Sequence, residues 1–570
     1  MMDAATSSKR SEAQQQRLLV RRRDMRRYII ILTSFIVLVG VVVVVVIGTH
    51  VSSKVDVDPN TSPLMSLAAT IKAVCNVTLY KHSCYDSLMS SRPKTGQPDE
   101  LFRLSLLVSL DELNKTSQQL QLGGVVWGYW NATMTKLALQ NCGELLGMAM
   151  DQVKDSIVLV PSALSHYMST VNDLKTWLSA ATTYHDTCLD GFEFSSEDSR
   201  LKVSEMLKHS TELTSNSLAL ANWFSSTIKY PRRLLTHEAP EWWAGVVVRR
   251  LMSSSKLTKI NANITVAKDG EGMYRNISAA LKAVPDKSNA TFIIYVKKGV
   301  YAENVRVEKS KWNVIMIGDG ANMTVVTGSL NVVDGTPTFS SATLAVFGKG
   351  FMARDMGFYN TAGAMKRQAV ALMSTADKSA FYRCGIDGFQ NTLYAHSNRQ
   401  FYRSCDIYGT VDVIIGNSAV VLQNCNILLK APIPGQQNTI TAQGKSDPNM
   451  NTGTSVQNCT VSPHGNLTDD VRSYLGRPWK DFSTTIFMSS YLSNIIHPDG
   501  WSPWVGTTAP DTIFYAEYMN KGPGAVAENR VNWTGLHLKV TEKVASGFTV
   551  RGLLQGDEWI PSEVPRSAGL

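Results

Sequence analysis

The stretch that decides the fold runs over residues 368–425, QAVALMSTADKSAFYRCGIDGFQNTLYAHSNRQFYRSCDIYGTVDVIIGNSAVVLQNC, and it repeats one pattern about every 20 residues. The segment FYRC at 381–384 returns as FYRSC at 401–405 and as VLQNC at 421–425. A short self-similar period in a β-rich segment is typical of a solenoid, in which each repeat forms one rung on its neighbour. The stretch therefore favours stacked rungs over a β-sandwich.

Polar side chains recur at the same period. Gln368 is followed one period later by Gln390 and Asn391, and after another period by Asp412. Because neighbouring rungs lie roughly 4.8 Å apart, residues one period apart stack side by side. The spacing therefore predicts that three amides and one carboxylate share one line across three rungs, which indicates a site. The alternative for Asp412 is a local role as a turn residue that caps the backbone.

Length and charge limit the class of protein. A chain of 570 residues is too long for one ordinary core, so two or more domains are expected. The formal charge is +9, but residues 1–27 alone hold eight Lys or Arg against three acidic residues. The rest of the chain is therefore nearly neutral, which argues against a nucleic-acid partner and allows at most a weak preference for an acidic substrate.

Residues 28–48 form an apolar segment of 21 residues without a charged side chain, just after the basic tail 1–27. This length suits a membrane-spanning helix, and the basic flank predicts that the tail stays cytosolic. We expect a signal-anchor of type II topology that holds the protein in the membrane of the secretory pathway, followed by a polar stalk at 49–65. A cleaved signal peptide is the alternative, although no A-x-A site follows the segment.

The cysteines and sequons support the same compartment. An even number of cysteines beyond the apolar segment suits disulfides in an oxidising environment. Eleven N-x-[ST] sequons also lie beyond residue 48. No C-x-x-C pair or Cys/His cluster at ligand spacing occurs, so no metal and no other cofactor is predicted. The candidate disulfide cysteines are Cys75, Cys84, Cys142, Cys188, Cys384, Cys405, Cys425 and Cys459.

Two domains follow the stalk. Residues 66–224 show apolar residues at i, i+3, i+4 and i+7 with few Gly or Pro, which predicts an all-α four-helix bundle. From 263 to 570 the sequence consists of short β-rich runs separated by Gly, Asn and Asp, which predicts an all-β domain. The linker 225–262 carries dibasic pairs at Arg232-Arg233 and Arg249-Arg250. An exposed linker is a preferred place for proteolysis, although such pairs are often only solvated charge.

Ordered motifs in residues 263–570 resemble the signature segments of plant pectinesterases. This resemblance implies a right-handed parallel β-helix that hydrolyses methyl esters of cell-wall pectin (homogalacturonan) and releases methanol. It also implies a mature domain destined for the cell wall. The matching segments are GVYAE at 299–303, QAVAL at 368–372, GFQNTLY at 388–394, HSNRQFYR at 396–403, GTVDVIIGN at 409–417 and LGRPW at 475–479.

The helical part resembles the plant invertase and pectinesterase inhibitor domain through its cysteine spacing and the segment TCLDGF at 187–192. An unrelated disulfide-stapled bundle is the alternative. The resemblance implies a contact between this domain and a pectinesterase, within one chain or between chains. It also strengthens the expectation of cleavage, because pro-region pectinesterases carry R-R-L-L-like motifs where the helical part is removed.

The pectinesterase motifs imply roles for single residues. Asp412 corresponds to the nucleophile, and Gln368 and Gln390 correspond to the groups that stabilise the oxyanion. Three further positions correspond to substrate-binding residues of the family. They are Thr338, Arg477 and Trp479, of which Arg477 would hold the carboxylate and Trp479 would stack on a sugar.

One departure from the family pattern concerns proton transfer. The family has an aspartate where this chain has Asn391, and an amide cannot supply the proton that the leaving group needs. We expect the activity to be weakened or lost. The competing hypothesis is a catalytically inactive homologue that binds pectin or regulates active pectinesterases through its inhibitor-like domain. A pectate lyase would need an acidic calcium-binding cluster, which the sequence does not show.

Overall fold

The computed structural model describes residues 66–126, 133–160, 167–227, 261–465, 467–468 and 470–570. The predicted cytosolic tail, membrane segment 28–48, stalk and dibasic pairs at Arg232-Arg233 and Arg249-Arg250 lie outside these residues. Within the described ranges, none of the helices combines the length and the apolar character needed to cross a membrane.

The N-terminal part is helical, as the periodicity predicted. Pro98 starts the third helix and is followed by Asp99 and Glu100, which favours a helix start because acidic side chains complement the dipole there. The helices are α1 (Ser66–Cys75), α2 (Lys81–Ser90), α3 (Pro98–Val126), α4 (Thr133–Leu159), α5 (Tyr167–Asp190) and α6 (Glu197–Thr227).

The four longest helices pack in a ring, because α4 contacts α3 and α5, and α6 contacts the same two helices. Each contributes fully buried leucines to the centre of the bundle. Burying such a side chain stabilises the fold by about 1.5–3 kcal/mol. Examples, one from each helix in order, are Leu106, Leu145, Leu178 and Leu218.

The cysteines of the two domains behave differently. Cys75 is bonded to Cys84 and Cys142 to Cys188, so two disulfides staple the bundle. The other four candidates are free thiols, contrary to the prediction of disulfides for all eight. They stack on successive rungs inside the β-helix, where the thiols lie close to backbone carbonyls such as those of Ala353 and Phe381. The free thiols are Cys384, Cys405, Cys425 and Cys459.

The C-terminal part consists of three parallel sheets. Sheet I contains β1 (Ile264–Val266), β2 (Phe292–Val296), β5 (Val314–Ile317), β8 (Met352–Arg354), β11 (Ser379–Tyr382), β14 (Arg399–Arg403), β17 (Ala419–Gln423), β20 (Gly453–Gln457), β23 (Thr484–Met488), β25 (Phe514–Tyr518) and β26 (Leu536–His537). Sheet II contains β3 (Gly299–Ala302), β6 (Thr324–Gly328), β9 (Gly357–Asn360), β12 (Gly385–Asp387), β15 (Asp406–Gly409), β18 (Asn426–Leu429), β21 (Thr460–Pro463) and β24 (Tyr491–Leu492). Sheet III contains β4 (Val305–Val307), β7 (Leu344–Val346), β10 (Leu372–Ser374), β13 (Leu393–Ala395), β16 (Ile414–Gly416), β19 (Asn438–Gln443) and β22 (Ser473–Gly476).

The chain visits sheets I, II and III in turn and then pairs with the previous coil, so each coil is one rung of a parallel β-helix. Leu344, Leu372 and Leu393 lie directly above one another in sheet III. All three point into the same buried core. A short helix, α7 (Ile277–Lys282), packs against the first rungs and buries Ile277 in this core.

The two FYR segments, at 381–383 and 401–403, do lie on neighbouring strands. Their pairing is shifted by one residue from an alignment that matches FYR with FYR. Phe381 pairs with Tyr402 rather than with Phe401, because the second repeat carries one extra residue before its cysteine. A shift of one residue sends a side chain to the opposite face of a strand. Phe381 therefore lies inside the β-helix, whereas Phe401 lies in a separate cluster outside sheet I.

Two short C-terminal helices, α8 (Glu542–Ser546) and α9 (Val550–Leu554), follow the last rung. Leu554 of α9 and Trp559 pack with Phe401 on the outer face of sheet I. The tail is also fixed by Gln423, whose side chain hydrogen-bonds the backbone of Ser567. This segment therefore covers one face of the β-helix, away from sheet III.

The helical bundle docks on the sheet III side through polar contacts. The Tyr184 hydroxyl of α5 lies 3.0 Å from Thr375 Oγ1, in the corner that follows β10. Thr187 Oγ1 lies 2.8 Å from His396 Nε2, in the next rung. From α6, Ser215 donates to the Asp447 carboxylate at 2.5 Å. Helix α5 therefore lies across the rungs that contain the candidate site.

Candidate active site

The rungs bring Gln368, Gln390 and Asp412 to the same corner of the β-helix, between sheets II and III. Gln368 and Gln390 form a parallel bridge a few residues before the starts of β10 and β13. The Asn391 N–H donates to the Val411 carbonyl at 3.1 Å, which places the third rung beside the second. The juxtaposition expected from the 20-residue period is thus present in the structure.

Asp412 is buried and held by two partners. Arg477 donates from Nε to Oδ1 at 2.7 Å and from Nη2 to Oδ2 at 2.6 Å, a bidentate arrangement. The Thr439 hydroxyl donates to Oδ1 at 2.7 Å, and it accepts the Asp412 backbone N–H at 2.8 Å. The side chain is 4% exposed, so a free face of the carboxylate opens only to the cavity described below.

The ion pair also acts on Arg477. Burial alone would lower the pKa of its guanidinium, but the hydrogen bonds and charge of Asp412 outweigh burial, so the pKa is raised. The arginine therefore stays charged. It is fixed from behind by its own backbone N–H, which donates to Thr441 at 2.9 Å.

Asn391 and Asp412 both have left-handed backbone conformations, with φ of 63° and 51°. Such values are costly for residues with a side chain and often mark functional sites. Here, however, Asn424 and Asn458 at another corner also have positive φ, of 55° and 52°. The conformation is therefore a feature of how this β-helix turns its corners, and by itself it does not single out the site.

A cavity of about 470 Å³ opens over Asp412. Gln368, Gln390 and Asn391 line its floor. The side-chain oxygens of Gln368 and Asn391 are buried and have no hydrogen-bond partner among the described residues. Unpaired buried polar atoms are costly, so this floor is suited to a polar ligand that could pair with them.

No carboxylate of the β-helix replaces the missing acid at position 391 within the described residues. Asp387 binds Lys430 through its side chain, and Asp406 accepts a hydrogen bond from Asn426 at 2.7 Å. Neither Asp387 nor Asp406 lines the cavity. Asn391 lines the cavity and is 8% exposed, but its side chain is an amide and not an acid.

Aromatic rings form one wall of the cavity. Trp479 stacks on Trp504 with ring centroids 6.3 Å apart, and the Arg477 guanidinium lies 4.3 Å from the Trp504 ring centroid. Gly444 is required beneath Trp479, because a Cβ at that position would lie 2.9 Å from the indole. Thr338, the predicted substrate-binding threonine, also lines the cavity.

The remaining wall comes from the helical bundle. Asp190 at the end of α5, Phe194 in the segment that follows and Arg200 in the first turn of α6 line the cavity. The Asp190 carboxylate accepts a hydrogen bond from Lys480 Nζ at 2.7 Å, next to Trp479. The cavity is therefore a composite, with its floor in the β-helix and part of its rim in the bundle.

A partly buried carboxylate, that of Asp186, lies beside this rim. Burial raises the pKa of Asp186 to about 6, although Lys480 and the Ser446 hydroxyl favour its charged form. Ser446 donates to Asp186 at 2.5 Å across the contact between bundle and β-helix. Asp186 is thus a proton-binding group within the docking surface.

Several site residues were not anticipated from the sequence. Thr439 has no counterpart in the 20-residue echo, because the rung that leads to it is longer. Trp504 comes from a loop after β24 and carries no periodic signal. Asp190 and its neighbours belong to another domain, and only the segment TCLDGF hinted that this region matters.

Comparisons with known proteins agree with the fold and the site. The profile of the family described as Pectinesterase matches residues 263–557, and that of plant invertase/pectin methylesterase inhibitor matches residues 69–220. Probable pectinesterase/pectinesterase inhibitor 46 of Arabidopsis thaliana is 49% identical over 523 residues, which cover 90% of this chain and 89% of that protein. Pectinesterase 3 of Phaseolus vulgaris is 47% identical over 528 residues, covering 90% and 88%. The solved pectin methylesterase from carrot superimposes with a TM-score of 0.54 and 47% identity, covering 55% of this chain and all of its own.

Fold and site together define a parallel β-helix protein with a carboxylate-centred cavity and a helical domain docked beside it. The chain belongs to the pectinesterase family and carries an inhibitor-type domain in front of its β-helix. The resemblance predicted from the sequence motifs is confirmed. Family membership and these relatives support an esterase.

Proposed function

We propose that this protein hydrolyses methyl esters of cell-wall pectin and releases methanol, with Asp412 as the nucleophile. The observation that carries the proposal is the carboxylate of Asp412, held by Arg477 at the floor of a cavity that Gln368 and Gln390 also line. A carboxylate can act as a nucleophile when it is oriented and kept ionised. The names of the relatives point to the same substrate.

In the first step, an Asp412 oxygen attacks the C6 carbonyl carbon of a methylated galacturonate. The carbonyl oxygen becomes an oxyanion, and the neutral amides of Gln368 and Gln390 stabilise it without adding charge. The bond from C6 to the methoxy oxygen then breaks, methoxide takes a proton, and methanol leaves. A water molecule hydrolyses the resulting acyl-enzyme, which restores Asp412 and leaves a galacturonate carboxylate.

Arg477 and Trp479 support these steps in different ways. Arg477 keeps the plane of the Asp412 carboxylate fixed, so that little reorganisation is needed during the attack. Trp479 offers an aromatic face on which a sugar ring can stack, and Thr338 lines the same cavity. These residues would place the ester over the nucleophile.

Asn391 weakens the proton transfers. An amide can hold a water by a hydrogen bond, but it cannot donate a proton to methoxide or accept one from the hydrolytic water. General acid–base assistance is typically worth about 10²–10⁴-fold. We therefore expect slow turnover, in which solvent water serves as the proton source.

The docked bundle restricts access to the same cavity. Thr187 contacts His396, and Asp190 is paired with Lys480 beside Trp479. A long pectin chain cannot lie over Asp412 while these contacts hold, because α5 and the segment after it form part of the cavity rim. We infer an intramolecular inhibitor contact that is relieved when the bundle leaves.

The second candidate is a catalytically inactive homologue that binds pectin or regulates active pectinesterases through its inhibitor-like domain. Asn391 is the observation that favours it. The intact ion pair of Asp412 with Arg477 favours the esterase, because a binding-only protein has no need for a clamped nucleophile.

The proposal includes the path of the protein to its substrate. Residues 28–48 would act as a type II signal-anchor, with the tail 1–27 in the cytosol and the rest on the other side of the membrane. Cleavage at Arg232-Arg233 or Arg249-Arg250 would separate the bundle from the domain 263–570. That domain would then act in the cell wall.

Methanol release from highly methylated pectin tests the proposal, measured with the full chain and with the segment 263–570. Asp412→Asn should reduce the release to background in both. The matched control is Asp406→Asn, which removes a carboxylate from the same rung but outside the cavity and should keep the activity. Equal release by the Asp412→Asn protein and the unmodified protein would exclude Asp412 as the nucleophile.

A further inference from the structure

A second charged cavity, of about 630 Å³, lies at another corner of the β-helix. It shares no lining residue with the cavity over Asp412. The corner joins sheet III to sheet I, and four rungs place a lysine there. These four residues, here called the lysine corner, are Lys287, Lys309, Lys349 and Lys378.

The lysine corner follows from the rung geometry. Lys309 follows β4, Lys349 follows β7 and Lys378 follows β10, and these three strands are neighbours in sheet III. Lys287 precedes β2 by the same number of residues as Lys309 precedes β5, and β2 pairs with β5. Since rungs repeat at about 4.8 Å, the corner gathers four ammonium groups on neighbouring rungs, although the last three lie four, five and six residues after paired strand positions.

An acidic stripe of the bundle faces this row. Glu144, Asp151 and Asp155 are 7 and 4 residues apart on α4 and therefore share one face of the helix. Asp151 pairs with Lys309 at 2.6 Å, and Glu144 pairs with Arg306 of β4. The bundle thus already presents a series of carboxylates to the cationic corner.

The acidic stripe does not satisfy every cation. Lys287 and Lys349 have no carboxylate within ion-pair distance among the described residues, and both line the cavity. The Lys349 ammonium instead lies 3.7 Å from the ring centroid of Trp312. The cavity therefore combines unpaired positive charge with an aromatic side chain, the two features that bind an acidic sugar.

We propose that the lysine corner is a second binding site for de-esterified, polyanionic galacturonan, and that the acidic stripe occupies it as a mimic of that polymer. The inference rests on the proposed function, because pectin hydrolysis creates one carboxylate on each sugar that loses its methyl group. A polymer with many carboxylates suits a corner that gathers several ammonium groups on neighbouring rungs, and Trp312 offers a face for a sugar ring.

Competition between the polymer and the bundle follows from this arrangement. Asp151 and a ligand carboxylate cannot both occupy Lys309 Nζ at hydrogen-bond distance. A ligand that binds only the undocked state shifts the equilibrium toward that state, and docking weakens ligand binding by the same factor. De-esterified galacturonan would therefore loosen the bundle, and product already in the wall would favour access to Asp412.

The test measures the affinity of the purified full-length chain for labelled, fully de-esterified polygalacturonate at low salt. Asp151→Asn together with Asp155→Asn should tighten binding by about threefold or more, because two competing carboxylates are removed. In that background, Lys309→Gln, Lys349→Gln and Lys378→Gln together should weaken binding by about tenfold. Replacing the same three lysines by arginine should preserve it, which separates loss of charge from misfolding.

The matched control changes three exposed lysines elsewhere, Lys521→Gln, Lys539→Gln and Lys543→Gln, with the same change in net charge. An equal loss of affinity in this control would overturn the proposal, since net charge alone would then explain binding. No gain from the two aspartate substitutions would overturn the mimicry.

An Asp412→Asn chain separates this proposal from the proposed function. It should lose methanol release and still bind polygalacturonate through the lysine corner. If it keeps releasing methanol, Asp412 is not the nucleophile. The polygalacturonate affinities of the lysine and aspartate variants then test the lysine corner independently. If it loses polygalacturonate binding as well, the anion site lies at the catalytic cavity and the lysine corner is excluded.

Discussion

Arg477 and Asp412, 65 positions apart in sequence, are joined by two parallel hydrogen bonds of 2.7 and 2.6 Å. The planar fork of the guanidinium fixes the position and the plane of the carboxylate, which a lysine ammonium cannot do. Arg477→Lys should therefore keep the charge and still lower kcat by about 10–100-fold, since a hydrogen bond to a charged group is worth about 1.5–3 kcal/mol.

Methanol release over a range of pectin concentrations checks this prediction. Arg472→Lys, at an exposed position close in sequence, is the matched control and should leave kcat unchanged. An Arg477→Lys protein with normal kcat and a raised KM would mean that Arg477 binds the substrate and does not orient the nucleophile.

Asn391→Asp should restore the missing proton donor and acceptor. The rate of methanol release should rise at least about tenfold, a conservative value against the usual 10²–10⁴-fold for general acid–base assistance. Asn424→Asp is a suitable control, because Asn424 is also a left-handed corner residue but does not line the cavity.

Two other outcomes are informative at position 391. Equal and substantial rates before and after the substitution would show that the proton comes from another group. Absence of methanol release in both proteins would support the binding-only homologue. In an Asp412→Asn background, Asn391→Asp should not raise the rate of methanol release, because no acyl-enzyme forms without the nucleophile.

The sequence predicted which site residues lie side by side only where consecutive rungs have nearly the same length. Gln368 and Gln390 do meet, because the rungs that carry them have nearly the same length. Thr439 lies 27 positions from Asp412 and escaped the pattern, because a longer connection interrupts the period. The repeated segment FYR suggested that Phe381 pairs with Phe401, but Phe381 pairs with Tyr402. The second repeat has one extra residue, which places Phe401 on the outer face of sheet I.

The docking of the bundle could not be derived from periodicity. The apolar periodicity of helix α5 predicts an amphipathic helix. It does not indicate that Tyr184 and Asp186 contact another domain. Their partners lie about 190 to 260 residues away in the chain. Such contacts depend on the shapes of two finished surfaces, whereas rung stacking depends on local repeat length.

Tyr184 should control how firmly the bundle docks. Its hydroxyl lies within 3.0–3.3 Å of polar groups of Thr375, Ser397 and Asn398, and its ring stacks on His396. Tyr184→Phe should weaken docking by about 1–3 kcal/mol because buried polar groups lose a partner, and Tyr184→Ala by about 3–5 kcal/mol. Methanol release from polymeric pectin by the full chain should rise in that order.

The segment 263–570 lacks the bundle, so its rate of methanol release sets the upper limit for the Tyr184 variants. Tyr301→Phe removes a buried hydroxyl far from the bundle, where it donates to Lys297 at 2.9 Å, and should not raise the rate. Thermal unfolding of each variant separates weaker docking from loss of the fold. A flat series with intact folding would exclude α5 as the barrier to the polymer.

Asp186 should make stability depend on pH in a specific direction. Burial raises its pKa in the folded protein to about 6, against 3.8 for the ordinary carboxyl. The folded state therefore holds a proton between these values that the unfolded state releases, so Asp186 favours folding as pH falls from above 6 toward 4. Above pH 6 the partly buried charge costs at most about 3 kcal/mol.

Asp186→Asn removes that charge and should stabilise the protein at pH 7.5 by up to about 3 kcal/mol, with little effect near pH 4. Burial lowers the pKa of His185 to about 4 and of His396 to about 3, so both histidines act in the opposite direction. They are present in both proteins and cancel in the difference. Denaturant unfolding at the two pH values gives that difference, with the exposed Asp198→Asn as control. An equal difference at both pH values would mean that Asp186 does not bind its proton in this range.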